Sequence, residues 1–141
     1  NNNYNLNYNL IHSFYLNFII NISLIQAIQT KHIKQVTLSN NTSSATDVIF
    51  LPGYYDKGVK VTYKTNRGTT YRTGVFTISS AGEFCSYNDD YEESNGDVGV
   101  TLSATTGDGD STAGADTIRI QYTTTNTGTD ATMEYQVQII V

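Results

Sequence analysis

The chain has 141 residues, only 15% of them charged, and a net charge of −5. That length makes one domain, with room for an appendage, and gives it a core that needs no covalent staple; with one cysteine, Cys85, an intrachain disulfide is excluded. The eight Lys and Arg are scattered, so no basic face is offered and no nucleic-acid partner is expected.

Residues 1–30 contain no Asp, Glu, Lys or Arg. Ile11, Phe14, Tyr15, Phe18, Ile22 and Ile25 recur at helical spacing. Leu10, Leu16, Ile19, Ile20 and Leu24 fill the other side, so a helix here would be apolar nearly all round. Four readings of residues 1–32 stand side by side. The segment packs as a helix onto a neighbouring subunit or assembly. It spans a membrane, although Asn17 and Asn21 would then sit mid-span and the apolar run is barely long enough. It is a secretory signal, although no basic start and no small-residue cleavage site precede Lys31. Or it is AT-rich upstream sequence, or the ragged start of a longer protein, outside the mature fold. No membrane partner is expected.

From residue 33 the texture changes to short strands with turn signals between them. Residues 35–39 make a first strand, and residues 47–51 a second that stops at Pro52 and Gly53. In residues 58–65, Val59, Val61 and Tyr63 share one face and Lys60, Thr62 and Lys64 the other. Asn66, Arg67 and Gly68 read as a hairpin turn. The returning strand, residues 69–79, sets Arg72, Gly74, Phe76 and Ile78 against Tyr71, Thr73, Val75 and Thr77. A short strand follows at residues 83–87, then a loop at 88–97. Val98, Val100, Leu102 and Ala104 form the next dry face, and residues 107–115 a second loop. Ile118, Ile120 and Tyr122 line the penultimate strand. Ala131, Met133, Tyr135, Val137, Ile139 and Val141 line the last. About eight strands with connections too short for crossover helices predict an all-β fold: an antiparallel β-sandwich, or a jelly-roll-like barrel, over residues 33–141.

Chemistry-bearing residues are few. Residues 35–141 lack histidine, which removes the usual general base and the commonest metal ligand. Cys85 reads as a small buried hydrophobe. Asp89, Asp90, Glu92, Glu93 and Asp97 are the densest charge run. A flexible loop of such oxygens suits calcium, yet the EF-hand frame is absent and a solvated loop tip is the plainer reading. Asp108 and Asp110 share that ambiguity, since Asp-Gly pairs form turns. Glu83, Glu92, Glu93 and Asp97 are the clustered carboxylates a glycosidase would draw on, but nothing in their spacing fixes a carboxyl separation, and no enzymatic activity is expected. The tyrosines are more suggestive. Tyr63, Tyr71, Tyr122 and Tyr135 belong to strands and to cross-strand packing. Tyr54, Tyr55, Tyr87 and Tyr91 fall where a flat apolar ring with a hydroxyl is exposed for a carbohydrate or receptor. Between Tyr122 and Asp130 the sequence is a polar hairpin connection. Asn126 or Gly128 takes the left-handed geometry, and Asp130 accepts from nearby backbone N–H groups.

The run from Gly96 to Ser103 (GDVGVTLS), with that from Ile118 to Val137 (IRIQYTTTNTGTDATMEYQV), resembles the C-terminal module of tailed-phage virion proteins, especially tail fibre and tail spike-like chains. Residues 63–78 (YKTNRGTTYRTGVFTI) are similar to that module's central hairpin. The resemblance covers residues 35–141. It implies a β-rich, extracellular virion component and does not say what is bound; fibre modules of this kind are commonly homotrimers. The expected role is particle assembly or host-surface attachment without a cofactor, with other virion proteins and a host-surface glycan as partners. Members usually end in a basic tail; this sequence ends QVQIIV, which removes the expectation of a charged contact there. Two other functions are compatible with the same residues: a capsid decoration protein, and a carbohydrate-binding module with calcium in its acidic loop.

Overall fold

A computed structural model describes residues 2–31, 33–52, 57–81, 84–107 and 117–140. It divides into two compact units, Asn1–Ile33 and Lys34–Val141. In the first, helix α1 covers Asn2–Lys31. Every described side chain from Asn7 to Ile25 is exposed, the apolar ones included. Tyr8 and His12, one turn apart, stack with ring centroids 6.1 Å apart. The 19 residues Asn7–Ile25 are long and apolar enough to cross a membrane by length and composition alone, a property that a signal sequence near an N-terminus shares.

The second unit is all strand. Its elements are β1 (Lys34–Leu38), β2 (Thr46–Pro52), β3 (Gly58–Arg67), β4 (Thr70–Ala81), β5 (Phe84–Ser94), β6 (Val100–Thr106), β7 (Thr117–Thr124) and β8 (Ala131–Ile140). They form two antiparallel sheets, one ordered β1-β8-β3-β4-β5 and the other β2-β7-β6. The expected two-sheet sandwich is therefore present, with eight strands. Period-2 alternation builds it: inward positions of one sheet meet inward positions of the other.

The core lies between the sheets. Val59, Val61 and Tyr63 of β3, Phe76 and Ile78 of β4, and Ala131, Met133 and Tyr135 of β8 supply one side. Ile49, Leu51, Leu102, Ile118, Ile120 and Tyr122 supply the other. Cys85 packs half-buried against this cluster, and burial raises its thiol pKa, as befits a small hydrophobe. Outside the core, Asp47 of β2 accepts from Arg119 Nη1 at 2.9 Å and Gln121 Nε2 at 2.8 Å on β7, which ties two strands of the small sheet together.

Two expectations are corrected. Arg67 is not a turn residue. The β3–β4 turn is Gly68-Thr69, with Gly68 at φ 61°, and Arg67 closes the β3 ladder opposite Thr70. It lies on the inward parity of Val61 and Tyr63, and its buried guanidinium fills the polar end of the sandwich. Nε donates to the Thr129 carbonyl (2.8 Å), Nη1 to the Val98 carbonyl (3.2 Å), and Nη2 to the Thr125 carbonyl (2.7 Å) and Asn40 Oδ1 (2.6 Å). Three loops thus hang on one side chain. Asn40 extends the link, since its N–H donates to Asp130 Oδ1 at 2.8 Å. The left-handed residue of that last connection is Gly128, at φ 79°.

The second correction concerns residues 88–97. They are not a loop as far as Ser94: β5 runs on through the acidic residues, paired with β4 from Ala81↔Phe84 to Tyr71↔Ser94. Acidic residues are poor strand formers, but an edge strand leaves one flank in water, where charge is tolerated and discourages pairing with other chains.

Candidate functional site

The inner face of the β4–β5 edge carries the site. Arg72 on β4 has the same parity as Phe76 and Ile78, so it points inward, and only 3% of its side chain is exposed. A buried guanidinium must find acceptors. Arg72 finds Glu93, directly opposite on β5, whose Oε1 accepts from Nε at 2.8 Å and from Nη2 at 2.6 Å. Its Nη1 donates to the Val100 carbonyl at 2.7 Å. Glu93 Oε1 also accepts from the Val98 N–H at 3.1 Å, so one oxygen fastens β4, β5 and the approach to β6. Burial pulls the Arg72 pKa down, but the hydrogen bond to Glu93 and the adjoining Tyr63 oxygen outweigh it and leave it raised.

Asp89 sits four residues before Glu93 on the same face. Its Oδ1 accepts the Tyr63 hydroxyl proton at 2.7 Å, and its Oδ2 lies 3.9 Å from Arg72 Nη1. Tyr63 belongs to β3, so its ring crosses the whole width of β4 to get there. It crosses above Gly74, where an added Cβ would lie 2.7 Å from the ring carbon that bears the hydroxyl. Burial, and then the bond to Asp89, hold the Tyr63 hydroxyl well above the usual tyrosine pKa. Burial also raises the Asp89 carboxyl, against the opposing pull of Tyr63 and Arg72.

Two rings flank Asp89. Tyr87 lies opposite Ile78 and packs against Phe76, with ring centroids 5.5 Å apart, yet stays 49% exposed. Tyr91 lies opposite Gly74, receives the Arg72 guanidinium 3.8 Å from its ring centroid, and stays 45% exposed. The two tyrosines stand four positions apart on one strand, about 13 Å along the edge. The result is a ledge with two half-exposed rings, a carboxylate between them, and a buried cation behind. Phe76 anchors the first ring and Arg72 the second, which lowers the cost of ordering them on binding.

Of the residues singled out in the sequence, Tyr87 and Tyr91 share this face. Tyr54 and Tyr55 lie outside the described residues, as do Glu83, Asp108 and Asp110. The acidic run is split by the pleat: Asp89 and Glu93 face inward to Arg72, and Asp90 and Glu92 face the other side. Asp97 Oδ1 is 3.7 Å from Arg72 Nη2 and accepts from the Gly99 N–H at 2.6 Å. The five carboxylates therefore do not converge on one point, and among the described residues no group of three or more His, Cys, Asp or Glu could hold a metal ion. The cation that Asp89, Glu93 and Asp97 share is Arg72. The pleat likewise turns Glu92 and Glu93 to opposite faces, away from the paired arrangement of a glycosidase. Among the tyrosines assigned to packing, Tyr122 is buried and its hydroxyl accepts from the Ser39 N–H at 3.2 Å, whereas Tyr71 stands on the outer face with Lys64 Nζ 5.9 Å from its ring centroid.

Arg72 and Gly74 are site residues that the sequence pattern does not single out, and Tyr63, expected only to pack across strands, also donates to Asp89. The signal was present. Arg72 shares the parity of Phe76 and Ile78, and a cation on a dry face calls for a carboxylate on the next strand.

No model of a known protein family matches this chain, and no curated protein matches it.

Proposed function

We propose that this chain is a non-enzymatic attachment module of a tailed-phage particle, and that the Tyr87–Asp89–Tyr91 ledge on β5 contacts a host-surface glycan. The virion setting and the partnership with other virion proteins rest on the sequence resemblance. The recognition role rests on one observation: two half-exposed tyrosine rings stand on one strand on either side of a carboxylate. Sugars offer a ring two things to bind, an apolar C–H face and hydroxyls, and a tyrosine flanked by a carboxylate answers both. Binding there would need no proton transfer or nucleophile. Asp89 and Glu93 are already engaged by Tyr63 and Arg72, which suits positioning rather than turnover.

The test is binding of the whole chain to an array of bacterial surface polysaccharides. Retention on at least one glycan, lost in Tyr87→Ala and Tyr91→Ala while both variants stay folded, supports the reading. Retention that survives both substitutions removes the ledge from the contact.

A further inference from the structure

Strand β8 is longer than the strand that covers its outer side. β1 pairs with it from Ala131 to Tyr135 and goes no further, whereas β3 pairs with it up to Ile140. Along residues 136–140 the backbone has a strand on one side, and among the described residues none on the other. Unpaired N–H and C=O groups in such a row are a template for another strand.

The opposite edge of the same sheet, β5, is guarded. Asp89, Asp90, Glu92 and Glu93 place four carboxylates in its 11 residues, and two copies of it laid together would oppose like charges. Residues 136–140, Gln-Val-Gln-Ile-Ile, carry no charge at all. Gln136 and Gln138 are exposed, Val137 and Ile139 pack half-buried against the core, and Ile140 is 54% exposed.

Two occupants can be compared by parity. β1 opposes Lys34 to Tyr135. Carried backwards in that register, the chain would oppose Ile33 to Gln136 and His32 to Val137. That places the isoleucine on the wet face and the histidine over the core, which is the wrong way round. A second copy of residues 136–140, antiparallel about Gln138, gives the right one. Val137 meets Ile139 and Ile139 meets Val137 on the core side, Gln136 meets Ile140, and Gln138 meets its own copy.

We propose that residues 136–140 are a self-complementary edge through which two copies of the chain join their five-stranded sheets into one continuous antiparallel sheet across a two-fold axis. The inference stands apart from the glycan ledge, which lies at the far edge of the sheet.

Cysteine cross-linking of the full chain tests it, in a mild detergent that shields α1 and in a Cys85→Ala background. Directly opposed antiparallel residues have Cα atoms about 4.5–5.5 Å apart, within disulfide reach. Gln138→Cys is expected to give a disulfide-linked dimer under oxidation, and Gln136→Cys, which faces Ile140, to give much less. Equal cross-linking at both positions, or none at position 138, overturns the proposal. Association through the apolar helix would not favour position 138. Sedimentation equilibrium supplies the second readout. Gln138→Glu opposes two like charges and is expected to weaken the dimer about fivefold. An equimolar mixture with Gln138→Lys is expected to restore it. A trimer, or a dimer indifferent to both changes, also overturns the proposal.

Discussion

The Tyr63 hydroxyl donates to Asp89 Oδ1 at 2.7 Å from two strands away, over the one residue of β4 that has no side chain to obstruct it. Gly74 faces Tyr63 on β3 and Tyr91 on β5. An alanine methyl there would lie 2.7 Å from both the hydroxyl oxygen and the carbon bearing it, and this ring is packed in the core rather than free to swing away. Gly74→Ala is therefore expected to destabilise the sandwich by about 1–3 kcal/mol, the usual cost of overpacking. Thermal melting checks it. Gly74→Ala in a Tyr63→Leu background, where the far end of the ring is gone, is expected to cost clearly less. Equal costs in the two backgrounds would show that the glycine serves some other purpose.

The same pair has a pH signature. Burial raises the Asp89 pKa above the ordinary aspartate range, with the neighbouring Asp90 adding to it, and the pull of Tyr63 and Arg72 does not cancel the rise. The folded protein then holds this proton more tightly than the unfolded chain does. The contribution to stability is full below the ordinary aspartate pKa and is lost as pH rises through the raised folded value. Asp89→Asn removes the titration and keeps an acceptor for Tyr63. At about pH 7 the variant is expected to be at least as stable as the parent, and the parent is expected to gain on it as pH falls toward about 4.5. Urea midpoints at the two pH values decide it. A gap that stays constant, or one that moves the other way, would contradict the raised value.

Arg67 gives the largest expected stability effect. Among the described residues it has no carboxylate partner; its buried charge is held by the carbonyls of Val98, Thr125 and Thr129 and by Asn40 Oδ1. Hydrogen bonds from a charged donor are worth about 1.5–3 kcal/mol each, and their loss leaves carbonyls unpaired. Arg67→Met keeps much of the stem and removes every donor. It is expected to cost about 3 kcal/mol or more, and chemical denaturation measures it. A lysine in its place would supply one ammonium instead of the planar fork, so Arg67→Lys should recover only part of the loss. A cost below about 1 kcal/mol for Arg67→Met would mean that the three loops hold without it.

The sandwich was legible because strand periodicity survives in each inward set: Val59, Val61 and Tyr63, or Ile118, Ile120 and Tyr122, name their face without help. Local signals point elsewhere at two places: the glycine at 68 makes Arg67 read as a turn residue, and the charges from Asp89 to Glu93 read as a loop, because charged residues usually mark water. In both places tertiary partners outweigh local preference: Arg67 is enclosed by loop carbonyls, and Asp89 and Glu93 are drawn onto a strand by Arg72. Those partners are remote in sequence. Glu93 lies 21 residues from Arg72, and Thr129 lies 62 from Arg67, distances no local pattern spans. Tyr87 and Tyr91 were legible as exposed rings, but their common face was not, since it depends on β5 continuing as a strand through the acids between them.

The ledge itself makes the most specific prediction. Tyr87 and Tyr91 differ in what anchors them: Phe76 packs against the first, and Arg72 sits over the second. Tyr87→Phe and Tyr91→Phe keep the rings and their anchors and delete only the hydroxyls. If a glycan stacks on the rings, both conservative variants should retain most of the affinity, whereas each alanine variant should lose about tenfold or more, in line with about 1.5 kcal/mol for an aromatic contact. Titration calorimetry with a glycan identified on the array measures both series. Arg72 must be left intact in this experiment, because removing it would strand Glu93 and unfold the edge. An outer-face control, Tyr71→Ala, should leave binding unchanged, since Tyr71 stands on the opposite side of the sheet from the ledge. Loss of binding in Tyr71→Ala with retention in Tyr91→Ala would move the contact to the outer face.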